Sequence, residues 1–202
     1  DDSVESYTGK IFESAMASLD QVHHSLDMSA VNRAVDLLTQ AKKIAFFGLG
    51  SSAAVAHDAM NKFFRFNVPV IYSDDIVLQR MSCMNCDDDD VVVIISHTGR
   101  TKSLVELAQL ARENDAMVIA LTSPGSPLAR EATLAITLDV PEDTDIYMPM
   151  VSRLAQLTVI DVLATGFTLR RGAKFRDNLK RVKEALKESR FDKEPFVPSD
   201  NQ

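Results

Sequence analysis

Apolar positions recur at helical spacing over residues 3–40, with Ile11, Phe12, Met16, Leu19, Val22 and Leu26 on one stripe and Val31, Val35 and Leu38 on another. Asp27-Met28-Ser29 separates the stripes, and Ser29 fits the N-cap of the second helix. From Lys43 onward the period changes. Short apolar runs rich in β-branched residues fall near 44–48, 68–72, 91–95, 117–122 and 134–139. Helical patterns lie between them near 52–65, 74–82 and 102–114, with a shorter turn from Ser126 to Ala132. Runs that do not alternate are what parallel strands covered on both faces require. The pattern therefore predicts an α/β, doubly wound five-stranded parallel sheet with helices on both faces, preceded by two N-terminal helices. Beyond the sheet, Pro141 to Pro149 reads as an irregular loop and Met150 to Arg170 as a long helix. Gly172 breaks that helix, Lys174 to Lys187 resumes it as an amphipathic one, and the polar, Pro-rich stretch Pro195 to Gln202 reads as disordered.

Composition adds limits. The 202 residues are 46% hydrophobic and 25% charged, which fits one soluble domain with a sizeable core. The net charge of -7 argues against a nucleic-acid or anionic-membrane surface on this chain. With no secretory leader and no apolar run of membrane-spanning length, the chain reads as cytoplasmic. The opening Asp1-Asp2-Ser3 reads as the middle of a longer protein. Cys83 and Cys86 form a C-x-x-C without the second pair or the histidines that zinc needs, so they are taken as two cysteines in a connector and no metal is expected. Asp87 to Asp90 reads as a solvated loop before a strand, and the basic residues from Arg170 to Arg190 as a solvated helix face among Asp177, Glu184 and Glu188.

The chemistry concentrates in two turns. Ser96-His97-Thr98-Gly99-Arg100-Thr101 follows the run Val91 to Ile95, and Gly48-Leu49-Gly50-Ser51-Ser52 follows Ile44 to Phe47; each leads into a helix. A strand, a hydroxyl-rich turn and a helix N-terminus together make an anion site, because backbone N–H groups and the helix dipole favour negative charge. Neither turn matches a P-loop or a dinucleotide fingerprint. In a flavodoxin-like sheet both lie at the switch point between the first and third strands, where ligands bind. A phosphomonoester is the expected ligand. The competing reading of Ser96, Thr98 and Thr101 is a helix cap with turn residues. His57 either faces the site or packs, His97 is expected to point to solvent, and His23 and His24 lie on the surface of the first helix.

These motifs resemble the sugar isomerase (SIS) domain, whose phosphosugar site is built from a G-x-[ST]-S turn and an S-x-[ST]-G-x-[ST] turn. The resemblance covers roughly residues 40–170. Within that family, Met150 to Asp161 is similar to the R-x-A-Q-L-x-x-I-D helix of the RpiR type of bacterial regulators. Ser51 to Asp58 and Arg171 to Phe175 resemble its branch that controls glucose catabolism through the Entner–Doudoroff route.

The resemblance implies a repressor's effector domain that senses a phosphorylated sugar acid such as 2-keto-3-deoxy-6-phosphogluconate. DNA is then bound by a helix-turn-helix domain outside this chain. Residues 1–40 become N-terminal helices and linker, 41–190 the phosphosugar-binding domain and 191–202 a tail. Gly50, Ser51, Ser52, Ser96, Thr98, Gly99 and Thr101 would hold the phosphate. Charge matching makes Arg153, then Arg100, then Arg65 the candidates for the carboxylate, with His57 and Gln156 nearby.

No catalytic residue and no cofactor is expected. Isomerases of the family supply a glutamate and usually a histidine after the sheet, and 144–156 contains neither; Glu106 reads as a surface residue. The alternatives are a phosphosugar isomerase or a structural dimerisation module with a vestigial site. A homodimer or homotetramer without membrane contact is expected, in which loop 141–149 and helix 150–170 close over the ligand. The two N-terminal stripes serve either as dimer surfaces or as packing on their own domain.

Overall fold

The computed structural model describes residues 3–142 and 150–187. Helices α1 (Val4–Ser25) and α2 (Met28–Gln40) lead into β1 (Lys43–Gly48), α3 (Ser51–Phe63), a 3-10 turn (Phe64–Phe66) and β2 (Val70–Ser73). Then come α4 (Ile76–Met84), β3 (Asp90–Ser96), α5 (Lys102–Glu113), β4 (Met117–Thr122), α6 (Pro127–Glu131), β5 (Leu134–Thr137) and α7 (Val151–Ala185). All pairings are parallel and the order is β2-β1-β3-β4-β5. The five strands, the helices between them and the two leading helices match the apolar periods, with ends shifted by a residue or two. Most of loop 141–149 and the tail 191–202 lie outside the described residues.

Alternate residues of the strands feed two cores, one on each face of the sheet. Ile44, Phe46, Val91, Val93, Ile95, Ile119 and Leu121 pack against α2, α3 and α7. Ala45, Phe47, Val92, Ile94, Val118 and Ala120 pack against α4, α5 and α6. Phe66 stacks on Phe167 with ring centroids 5.0 Å apart, and Phe63 meets Phe167 edge-on at 5.5 Å, which fixes α7 across the sheet. The backbone of α7 departs from helix at Gly172 (φ 78, ψ -168), the break expected there.

Four local expectations need revision. The N-cap of α2 is Asp27, not Ser29: Asp27 Oδ1 accepts from the Ser29 amide at 2.8 Å and the Ala30 amide at 3.3 Å. A carboxylate two residues earlier reaches both orphan donors and complements the helix dipole, which a serine already inside the first turn cannot do. Asp90 is not solvated like Asp87 to Asp89; it opens β3 at 3% exposure and pairs with Lys43 Nζ at 2.6 Å. Cys83 is not in a connector but buried in the last turn of α4. The first stripe divides, with Val22 buried and Leu19 and Leu26 packed on the core while Ile11, Phe12 and Met16 stay exposed on α1. The second stripe, Val31, Val35 and Leu38, is buried in the domain's own core.

Candidate functional site

Strands β1 and β3 are central neighbours, and their register sets Gly48 against Ile95, so the turns that follow begin side by side. From this pair β2 lies to one side and β4 to the other, so the strand order reverses here and opens a crevice at the carboxyl ends. The sequence determines the first turn through Gly50. Its φ of 57° with ψ of -128° is open only to glycine, and as the N-cap of α3 it has no side chain to close the first-turn amides. Ser51 is half-buried and Ser52 buried at the start of that helix.

The second turn is held by its own hydroxyls. The Gly99 amide donates to Ser96 Oγ at 3.2 Å, and the Arg100 amide to Thr98 Oγ1 at 3.4 Å. Each hydroxyl that accepts in this way keeps its own O–H to donate. Thr101 is the N-cap of α5, yet its side chain makes no cap hydrogen bond. Neighbouring elements brace the turn from behind: the Ser123 amide and hydroxyl donate to the His97 carbonyl at 2.9 and 2.6 Å, and the Leu128 amide to the Gly99 carbonyl at 3.1 Å. Gly99 itself has φ 60°, and a Cβ there would lie 2.6 Å from Ser126 Cβ.

Thus Gly50, Ser51, Ser52, Ser96, Thr98, Gly99 and Thr101 gather at the ends of β1 and β3. Arg100 is exposed within the second turn, and Arg153 is exposed on the first turn of α7. Gln156 is 2% exposed with its Oε1 unpaired. His57 stacks on Tyr72 with centroids 4.8 Å apart, on the exposed side of α3. Arg65 does not join them. It lies beyond the far end of α3, whose 13 residues span about 20 Å.

Two further residues belong here that sequence reasoning missed. Gln79, on α4 at 0% exposure, donates from Nε2 to the Gly48 carbonyl at 3.1 Å and the Ser73 carbonyl at 2.7 Å, tying the start of the first turn to the end of β2. Its spacing, four residues before Cys83 on the same helix face, gave no signal while Cys83 itself read as a connector residue. The other is Glu142. Its Oε1 accepts from the Met150 and Val151 amides at 2.6 and 2.8 Å and its Oε2 from the Ser152 amide at 3.3 Å, so the carboxylate sits on the N-terminus of α7. Burial works to raise the pKa of Glu142, but the Ser152 hydroxyl lying against it and the three amides outweigh that and hold it below the usual carboxylate range. Glu142 stands just outside the 144–156 segment, which contains no glutamate.

Burial holds the His97 pKa below the usual histidine value, against the opposing charge of Glu142. A histidine that binds protons less well when folded lowers stability as pH falls through its unfolded value, about 6.5. We expect the ligand-free domain to lose stability between pH 7.5 and 5, and His97→Gln to remove part of that slope in thermal denaturation at each pH.

A sequence profile of the SIS domain matches residues 37–166, more than half of the chain, and the chain belongs to that family. It is 91% identical over 202 residues to the HTH-type transcriptional regulator HexR of Escherichia coli strain K12, covering all of this chain and 70% of that protein. It is 57% identical over 191 residues to HexR of Pseudomonas aeruginosa, covering 95% of this chain and 67% of the relative. These matches place it with HexR-like HTH-type transcriptional regulators. Among solved structures, Vibrio vulnificus NanR complexed with ManNAc-6P superposes with a TM-score of 0.83 at 24% identity, over 92% of this chain and 70% of that one. Among the described residues no helix is long and apolar enough to cross a membrane.

Proposed function

We propose that this chain is the effector-binding domain of a cytoplasmic transcriptional repressor of glucose catabolism, and that it senses a phosphorylated sugar acid such as 2-keto-3-deoxy-6-phosphogluconate without transforming it. The observation that carries the reading is the pair of hydroxyl-bearing turns, in register at the ends of β1 and β3, each leading into a helix N-terminus. Ser51, Ser52, Ser96, Thr98 and Thr101 hold the phosphate, with the turns shaped for it by Gly50 and Gly99. Arg153 or Arg100 meets the carboxylate, and Gln156 and His57 line the sugar. Residues 41–190 form the sensing domain. The helices of 1–40 connect it to a helix-turn-helix domain that contacts DNA, and the domains pair as a homodimer or homotetramer. Because a ligand shifts an equilibrium only through unequal affinity for its two states, the effector acts by favouring one arrangement of the paired domains.

Thr101→Val separates this reading from simple helix capping. An N-cap threonine that bonds its helix is worth about 1 kcal/mol. Thr101 makes no such bond, so the ligand-free melting temperature should stay unchanged while affinity for the sugar acid phosphate falls about tenfold. Thermal-shift titration against a panel of sugar phosphates measures both. A lowered melting temperature with unaltered affinity would return Thr101 to an ordinary cap.

An isomerase is the second reading, favoured by one observation, that a glutamate after the sheet, Glu142, exerts its charge on His97 in the second turn. A general base needs a pKa near the working pH and a free lone pair. Glu142 is held low and committed to three amides, which favours the sensor. Steady interconversion of a ketose and an aldose phosphate by the purified chain would reverse that preference.

A further inference from the structure

The first turn of α7 presents an anion seat that the chain itself fills. Three backbone amides, of Met150, Val151 and Ser152, converge on one carboxylate brought from Glu142, eight to ten residues upstream. The seat has unused capacity. Ser152 Oγ, on a residue 1% exposed, lies against the carboxylate without reaching hydrogen-bonding geometry, and Gln156 Oε1, on a residue 2% exposed, has no partner. Ser152 and Gln156 are four residues apart and so share one face of α7. Buried polar atoms left unpaired are uncommon in folded proteins and call for an explanation. The charge seated there also acts on His97 of the second turn.

We propose that Glu142 is an internal stand-in for the carboxylate of the effector. The acid end of the ligand displaces it from the amides of Met150, Val151 and Ser152 and gains Ser152 Oγ as a neighbour, while Gln156 Oε1 accepts from a hydroxyl group of the ligand. This rests on the phosphosugar reading above and deepens it by naming what selects an acid over an aldose. Exchange of one carboxylate for another leaves the charge at the helix N-terminus unchanged, and the dipole and the amides favour both alike. An aldose phosphate brings no carboxylate, so Glu142 stays seated. Specificity then lies in an exchange on α7, while the phosphate turns accept either compound.

Calorimetric titration of the full chain tests this with three probes: 2-keto-3-deoxy-6-phosphogluconate, glucose 6-phosphate and inorganic phosphate. Glu142→Gln keeps the shape of the side chain and removes the competing charge. It should tighten the sugar acid about tenfold and change glucose 6-phosphate by less than about twofold. Equal changes for both, or weaker binding of the acid, would overturn the proposal. Amide NMR of the unmutated chain provides the second readout: the Met150, Val151 and Ser152 resonances should move with the acid and stay with glucose 6-phosphate. Identical movement with both would again overturn it. Failure of the unmutated chain to bind any of the three probes counts against the phosphosugar reading itself. Binding of all three with no effect of Glu142→Gln counts only against the exchange.

Discussion

Replacing Gly99 with alanine is expected to unseat the second turn and abolish phosphosugar binding, with a melting temperature lowered by roughly 10 °C. Two costs combine. A non-glycine residue at φ 60° carries about 1–3 kcal/mol of backbone strain. The added Cβ also falls 2.6 Å from Ser126 Cβ, inside contact distance, and Ser126 cannot retreat freely because it caps α6 through the Ala129 amide at 3.2 Å. Overpacking of this kind costs about 1–3 kcal/mol more. Together the two come to about 4 kcal/mol, and a domain of this length shifts by roughly 2–4 °C per kcal/mol. Relief would require the turn to pull away from β4, breaking the bonds from Ser123 and Leu128 that brace it. Thermal denaturation with and without ligand measures both effects. A Gly99→Ala protein melting within about 2 °C of the parent, with its affinity intact, would contradict this account of the turn.

Gln79→Leu is the second large effect, and it acts on the other turn. Leucine fills a similar volume, so cavity formation contributes little. The Gly48 and Ser73 carbonyls, however, lose their shared donor inside the protein. The buried Gly48 acceptor costs about 1–3 kcal/mol when it loses its donor and the part-buried Ser73 acceptor less, so a loss of about 2 kcal/mol is expected in denaturant unfolding. Affinity should fall as well, because the carbonyl of Gly48 is the last fixed point before the first turn. A variant that unfolds at the parental denaturant midpoint would show that Gln79 anchors nothing.

The contrast between these residues and the turns explains what was legible in the sequence. Parallel strands buried on both faces need unbroken apolar runs, and β1, β3 and β4 have them, so the sheet and the side-by-side turns could be read directly. Glycine and hydroxyl residues announce a turn because few other side chains tolerate its backbone or close it. Gln79 carries no such mark. On a helix with exposed Val77, Leu78 and Met81, a glutamine reads as another surface residue, and only tertiary packing turns it inward against two carbonyls. Glu142 was hidden for another reason. A glutamate that caps from inside its own helix sits three residues after the cap position, whereas this one reaches α7 from the preceding segment, at a distance that no local rule anticipates.

Charge patterns were readable only in part. The four aspartates from Asp87 to Asp90 look alike in the sequence, but the strand begins at the last of them and takes it into the protein with Lys43. Arg65, placed near the ligand by charge alone, falls at the other end of α3, since matching opposite charges says nothing about which end of a helix carries them.

The central claim is that both turns hold one phosphate. Amide NMR of the isotopically labelled chain during titration with 2-keto-3-deoxy-6-phosphogluconate tests it most directly. The Gly50, Ser51 and Ser52 amides and those of Thr98, Gly99 and Thr101 should shift together along one saturation curve with one affinity. Movement confined to one turn, or two curves with different affinities, would contradict the claim.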